Sequence, residues 1–223
     1  MFTVSLSRLL LNTFKGWSQA MPGEPLDLEF ILGQAGIAAL ARERLVQDAE
    51  RWGADCILWL DADQTFPSDT LLRLVAHRLP IVGANYARRS EEAGPTAAEL
   101  ADGRLLPLYT THDKVAARLV EPVHQMGLGV TLISMEVFRA LERPIFDAIR
   151  EDHAFYDKAR AAGYTPMVDH SLSAEVGHVW TTVLTNEHSL AGKARREKVI
   201  ELPVGKGVIT GKLPRRGDQG RGD

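Results

Sequence analysis

The residues that most limit how this chain can fold are Cys56-Ile57-Leu58-Trp59-Leu60, an unbroken apolar run that leads directly into Asp61-Ala62-Asp63. A strand with one wet face alternates apolar and polar residues. A run that is apolar at every position predicts instead a strand buried on both faces of its sheet. Helices must then cover both sides, which points to a layered α/β domain.

The neighbouring segments offer such helices. A helix is predicted over 37–52, with Leu45, Ala49 and Trp52 on one face and Gly53 as its stop. Ser68 is a candidate N-cap for another that turns Leu71, Leu72 and Val75 inward. Strands are predicted at 81–86 and 130–134, the second followed by a helix that Pro144 ends. A helix over 152–162 aligns Phe155, Ala159 and Ala162, stops at Gly163 and leads to a last strand at 164–168. Residues 91–103, small, polar and acidic, are expected as a loop, with a short strand at 105–109 after a turn at Asp102-Gly103. Near the start, 2–6 alternates like a short edge strand, and Leu10, Leu11, Phe14 and Trp17 share a helical face. After the breaker at 21–25, residues 26–32 read as a strand. The order predicts a three-layer α/β domain with a mostly parallel central sheet, occupying 1–190. Residues 191–223, basic and glycine-rich, are expected to form a partly flexible extension.

Composition narrows the function. A chain of 223 residues, 45% hydrophobic and 25% charged, fits one folded domain. No apolar segment approaches the length of a membrane span, so no membrane partner is expected. The net charge of -3 supplies no global field for nucleic acid, and the single Cys56 fits a reducing cytoplasm.

In open α/β sheets ligands gather at the carboxyl ends of strands, where Asp61 and Asp63 emerge. Two carboxylates one residue apart can both face a hard cation such as Mg²⁺ or Mn²⁺, which in turn binds phosphates. The ordinary alternative is that they turn the chain and cap the next segment.

Asp61-Ala62-Asp63-Gln64-Thr65-Phe66-Pro67, the helix after it and Ile81-Val82-Gly83-Ala84-Asn85-Tyr86 together resemble the metal-binding core of glycosyltransferase family 2, closest to small single-domain phage and bacterial members. Gly127-Leu128-Gly129-Val130-Thr131-Leu132-Ile133 is similar to the family's glycine-rich stretch beneath donor and acceptor sugars. Glu151-Asp152-His153-Ala154-Phe155 looks like its acidic motif opening a helix, and Gly177-His178 ends the run as the family's late metal-binding histidine does. The resemblance spans 38–179. It implies a Rossmann-like GT-A domain and a metal-dependent, inverting, hexosyltransferase-like enzyme of the cytoplasm, or of the host cytoplasm if the chain is phage-encoded. The donor would be a nucleotide-diphosphate sugar, and the acceptor a hydroxyl on a glycan, a protein or a hydroxymethylated pyrimidine in DNA.

The same resemblance assigns roles. Asp61, Asp63 and His178 would hold Mn²⁺ or Mg²⁺, Asp152 would act as general base with Glu151 second, and Arg42, Asp61, Gly127 and Gly129 would line the nucleotide-sugar site. Each position also has an ordinary reading: a core histidine at 178, acids favoured by the helix dipole at 151 and 152, a solvent-facing charge at 42. Arg88-Arg89 suits phosphate, acceptor or solvent, and Trp180 could stack on a sugar. The chain departs from the family at Glu43, where asparagine often stands, at Arg150, where glycine is common, and in its abbreviated first strand. Two other function classes stay open. A nucleotidyltransferase of related fold should carry a glycine-rich phosphate loop near its first strand, which is not found. A non-catalytic nucleotide-sugar-binding module would bind donor without turnover.

Overall fold

The structure, a computed structural model, describes residues 2–33, 37–90, 93–149, 151–180 and 183–198, excepting the side chains of 151, 183–184 and 195–198. Helices α1 (Phe2–Ala20) and α2 (Ala38–Trp52) precede β1 (Cys56–Leu60), β2 (Gln64–Thr65), α3 (Thr70–Ala76) and β3 (Ile81–Gly83). The hairpin of β4 (Ala98–Ala101) and β5 (Arg104–Pro107), then α4 (His112–Ala116) and β6 (Val120–Pro122), lead to β7 (Val130–Ser134) and α5 (Met135–Ala140). The chain continues through α6 (Glu151–Ala161), β8 (Met167–Asp169), α7 (His170–Ser173), β9 (Gly177–Val179), β10 (Val183–Leu184) and α8 (Asn186–Lys198).

The main sheet has the order β1-β7-β3-β8-β6. It is mixed and mostly antiparallel, which corrects the expectation of a mostly parallel sheet: only β3 and β8 pair in parallel, while β1–β7, β3–β7 and β6–β8 are antiparallel. The reason is β7, which inserts in reverse between β1 and β3. That reversal leaves β1, β3 and β8 pointing the same way, so their carboxyl ends and the entry to β7 meet at one edge.

Side-chain alternation sorts the core into two layers. Ile57, Trp59, Ile81 and Ile133 face a cluster with Val46 and Ala49 of α2, Phe138 of α5 and Phe155 of α6. Leu58, Leu60, Val82, Val130 and Leu132 face the other side, against Leu9 of α1 and Leu71 and Leu74 of α3. Helices therefore cover both faces, as the apolar run required. Full burial of a residue such as Leu74 or Ile133 contributes about 1.5–3 kcal/mol.

Three local expectations are corrected. Strand β1, expected to be buried on both faces, lies at the edge of the main sheet: Trp59 is buried, Ile57, Leu58 and Leu60 are half-buried and Cys56 is exposed. Residues 2–6 are helical, since Phe2, Leu6, Leu9 and Thr13 continue one helical stripe that a three-residue alternation obscured. Residues 26–32 join no ladder: Leu28 packs on the second core layer, but Phe30 and Leu32 stay exposed. Helix α2 ends at Gly53, as predicted, with φ at 85°. Helix α8 runs across the expected boundary at 190/191, and the rest of the extension, 199–223, lies outside the described residues. No described helix is long and apolar enough to cross a membrane.

Candidate functional site

The edge where β1, β3 and β7 meet gathers most of the residues singled out from the sequence. Asp61 follows β1, and its N–H donates to the Gly129 carbonyl at 2.9 Å, prolonging the β1–β7 ladder by one step. Gly129 donates its own N–H to the Tyr86 hydroxyl at 2.9 Å. A Cβ on Gly129 would stand 2.6 Å from that hydroxyl and 2.9 Å from Asp61 Oδ2, and one on Gly127 would stand 2.3 Å from the hydroxyl. The Gly-Leu-Gly spacing is thus a close-approach requirement: the backbone entering β7 wraps the tip of Tyr86 and leaves no room for side chains. Burial, with the charges of Asp61 and Asp152, pushes the Tyr86 hydroxyl far above its ordinary range, so it stays protonated and neutral.

Asp61 Oδ1 accepts from Arg42 Nη2 at 3.1 Å. Arg42 is buried on α2, with its guanidinium 5.2 Å from the centre of the Trp59 ring. Arginine, aspartate, glycine and tyrosine form one connected wall, which brings together Arg42, Asp61, Gly127 and Gly129.

Asp63 belongs to a different, wetter neighbourhood. Strand β9 pairs with β2 so that His178 lies opposite Gln64, and the Val179 N–H donates to the Asp63 carbonyl at 2.7 Å. This pairing carries His178 to Asp63. Its Nδ1 lies 2.8 Å from the Ala87 carbonyl, which can only accept, so Nδ1 carries a proton. Nε2 then faces Asp63 Oδ2 at 3.4 Å. A neutral ring presents two acceptors to each other there, an arrangement completed by a proton or a cation. Two ligands of one small cation, each about 2.1 Å from it, stand roughly 3 to 3.5 Å apart. The pair therefore fits a hard divalent cation. Asp61 Oδ1 is met instead by Arg42. Among the described residues no three His, Cys, Asp or Glu side chains converge to hold a metal.

Asp152 sits in the first turn of α6, where its Oδ2 lies 3.4 Å from the Leu128 N–H, between the two glycines. Its charge acts on both Tyr86 and the buried Tyr156, whose hydroxyl burial raises first and Asp152 second. The base candidate thus borders the same wall as Asp61. The side chain of Glu151 lies outside the described residues.

Several residues of the site carry no role in the sequence reading. Gln64 is fully buried, and neither its Nε2 nor its Oε1 has a hydrogen-bond partner. Tyr86 keys the glycines. Arg89, read from the sequence as suiting phosphate, acceptor or solvent, pairs through Nη1 with Asp63 Oδ2 at 2.8 Å. Gln125 Nε2 approaches His153 Nε2 at 3.4 Å beside Asp152. The sequence signal for Gln64 is its place directly after Asp63; nothing local announces Tyr86, whose role comes from the packing of β3 against β7. Trp180, just past β9, is 48% exposed.

No family model matches the chain, and no curated protein matches it by sequence. Among solved structures, the crystal structure of A197 from STIV superposes with a TM-score of 0.54, covering 81% of this chain and 84% of that one at 18% identity. At that identity the likeness is one of fold.

Proposed function

We propose that the protein is a metal-dependent inverting glycosyltransferase with a GT-A-type domain, taking its sugar from a nucleotide-diphosphate donor. The observation that carries this reading is the meeting of Asp63 Oδ2 and His178 Nε2 at 3.4 Å, beside the Arg42–Asp61 pair at the carboxyl end of β1. A pair of protein ligands suits Mg²⁺ or Mn²⁺, which keep positions for substrate phosphates. When bound, the cation supplies charge neutralisation to the departing diphosphate.

The chain's own residues do the rest. Arg42, stacked on Trp59, holds Asp61 in place, and together they form a wall suited to the nucleotide. Asp152, across the glycine wall, takes the proton of the acceptor hydroxyl as its oxygen bonds to the anomeric carbon and the bond to the diphosphate breaks. Gly127 and Gly129 keep the floor between these groups free of side chains. The acceptor is a hydroxyl on a glycan, a protein or a hydroxymethylated pyrimidine in DNA. The resemblance to glycosyltransferase family 2 supports these assignments.

The test is a screen of nucleotide sugars with Mn²⁺, reading released nucleoside diphosphate, followed by acceptor panels that include hydroxymethylated DNA. Asp152→Asn should retain donor binding and lose transfer by roughly two to four orders of magnitude. Wild-type transfer by Asp152→Asn would place the base elsewhere. Donor binding with neither hydrolysis nor transfer would make the protein a binding module.

A further inference from the structure

The two carboxylates of Asp61-Ala62-Asp63 each meet an arginine, and the two pairs are built differently. Arg42 is 8% exposed, fixed on a helix and laid over Trp59. Arg89 stands on the segment that follows β3, and its side chain is 51% exposed against 32% for Asp63. An exposed pair of this kind contributes little to folding and is easily broken.

We propose that Arg89 is an exchangeable counter-ion: it pairs with Asp63 until a divalent cation takes the carboxylate, and then binds the donor's diphosphate. The proposal rests on the transferase reading and specifies how that site couples its two charged ligands. The geometry at Asp63 favours the exchange. A single oxygen, Oδ2, faces both Arg89 Nη1 at 2.8 Å and His178 Nε2 at 3.4 Å. A cation held by Asp63 and His178 would place like charge against the guanidinium at that same oxygen, so the two compete for it. The displaced guanidinium remains close, because its loop is tied down by the Ala87–Pro95 bridge and by the Arg88 N–H donating to the Gly94 carbonyl at 2.8 Å. Its planar fork matches phosphate oxygens, the anion that such a cation brings with it. Gln64 gives an independent sign that the site is built for a ligand. Its carboxamide is fully buried without a partner, on the same face of the strand pair as His178.

The exchange makes a prediction of opposite signs, readable by isothermal titration with two probes: Mn²⁺ alone, and inorganic pyrophosphate in saturating Mn²⁺. Arg89→Gln should bind Mn²⁺ alone roughly two- to fivefold more tightly, because a competitor for Asp63 is gone. It should bind pyrophosphate roughly tenfold more weakly, because a charge-assisted hydrogen bond is lost. Arg88→Gln is the control, since Arg88 is the exposed neighbour of equal charge and makes no ion pair among the described residues. If Arg89→Gln matches Arg88→Gln in both titrations, the exchange is overturned and general electrostatics explains the data. Asp63→Asn separates the two levels of the argument. Mn²⁺ binding that survives this change removes the metal site, and the transferase reading with it. Mn²⁺ binding that is lost in Asp63→Asn and tightened in Arg89→Gln supports both.

Discussion

Of the carboxylate–histidine pairs among the described residues, those of His170 and His178 are finished to different degrees. In the first, beyond the carboxyl end of β8, fully buried His170 has both ring nitrogens in use: Nδ1 lies 2.8 Å from Thr110 Oγ1 and Nε2 lies 2.6 Å from Glu121 Oε1. Thr110 in turn receives the Asn85 amide at 3.2 Å, and Lys114 pairs with Glu121. In the second, His178 is oriented just as firmly through Nδ1, yet its Nε2 stands at 3.4 Å from Asp63 Oδ2, longer than an ordinary hydrogen bond. The buried side-chain amide of Gln64 beside it has no hydrogen-bond partner among the described residues. Closed valences hold a fold together, whereas valences oriented and left open are what a ligand site requires. On the proposed reading, the contrast separates a structural histidine, His170, from a ligating one, His178.

The sharpest way to break this comparison is to delete one member of each assembly. Asp63→Ala should abolish Mn²⁺-dependent donor binding, a loss of about a hundredfold or more, with the thermal midpoint nearly unchanged because the side chain is a third exposed. His170→Ala should do the reverse: metal binding persists in the folded fraction while stability falls by about 2–4 kcal/mol, since a fully buried, hydrogen-bonded ring is replaced by a cavity. Matched titration and urea denaturation of the two variants check this. Equal phenotypes would mean that the assemblies do not differ in kind.

His178→Ala should show the intermediate effect. Mn²⁺ affinity falls roughly ten- to hundredfold, and excess Mn²⁺ partly restores turnover because Asp63 and the donor phosphates still bind. Unfolding in place of weakened metal affinity would move His178 into the structural class.

Much of this is legible in the sequence, and the parts that are not have physical causes. The bounds of β7, Val130–Ser134, can be read directly because a run covered on both faces is apolar at every position. Helix α2 is legible from its glycine stop, but its inward face is not the expected one: Ala39, Arg42, Val46 and Ala49 are buried while Trp52 is 43% exposed. Strand direction is not legible, since an apolar run looks the same whether its neighbours run with it or against it; the reversed insertion of β7 is a tertiary fact. The three-residue alternation at Phe2, Val4 and Leu6 misleads because it is shorter than the helical stripe it belongs to. In the site, the acids and His178 stand out by their place in the sequence, but that Asp61 is committed to Arg42 depends on how α2 lies over β1. The short strands β2 and β9, which join Gln64 to His178, carry too few residues to show a period.

A smaller effect tests the glycine wall between the two carboxylates. Gly129→Ala places a methyl 2.6 Å from the Tyr86 hydroxyl and 2.9 Å from Asp61 Oδ2, and should cost about 1–3 kcal/mol of stability. Donor binding should weaken with it as Asp61 is pushed aside. Tyr86→Phe removes the hydroxyl that both glycines accommodate, so the double variant should lose less than the sum of the single losses. Strict additivity, measured in a urea double-mutant cycle, would show that the wall yields elsewhere.

The smallest effect is a pH dependence that belongs to the closed assembly. Burial holds His170 below its ordinary value of 6.5, winning over the hydrogen bond and charge of Glu121; Lys114 and Asp169 are the other charges facing it. The folded protein thus keeps this ring neutral where the unfolded chain would begin to protonate it. Stability should be complete above pH 6.5 and decline as pH falls through the interval down to the folded value, because the unfolded state binds the extra proton. His124, lowered by burial and by Arg160, adds a loss of the same sign. For Glu121 and Asp169 burial works in the opposite sense. It is outweighed by hydrogen bonds from Lys114 and His170 to the first, and from His77, the Leu172 N–H and Ser171 to the second, so both stay below the usual carboxylate range. Their contribution should be intact at pH 5 and lost only below about 4. Urea midpoints measured between pH 8 and 5 should therefore fall by an amount bounded by about 1.4 kcal/mol per pH unit for each histidine. His170→Gln should remove about half of that slope, leaving the part that belongs to His124. A slope unchanged in His170→Gln would show that the ring titrates alike in the folded and unfolded chain, and the contrast between a closed and an open assembly would then have to rest on geometry alone.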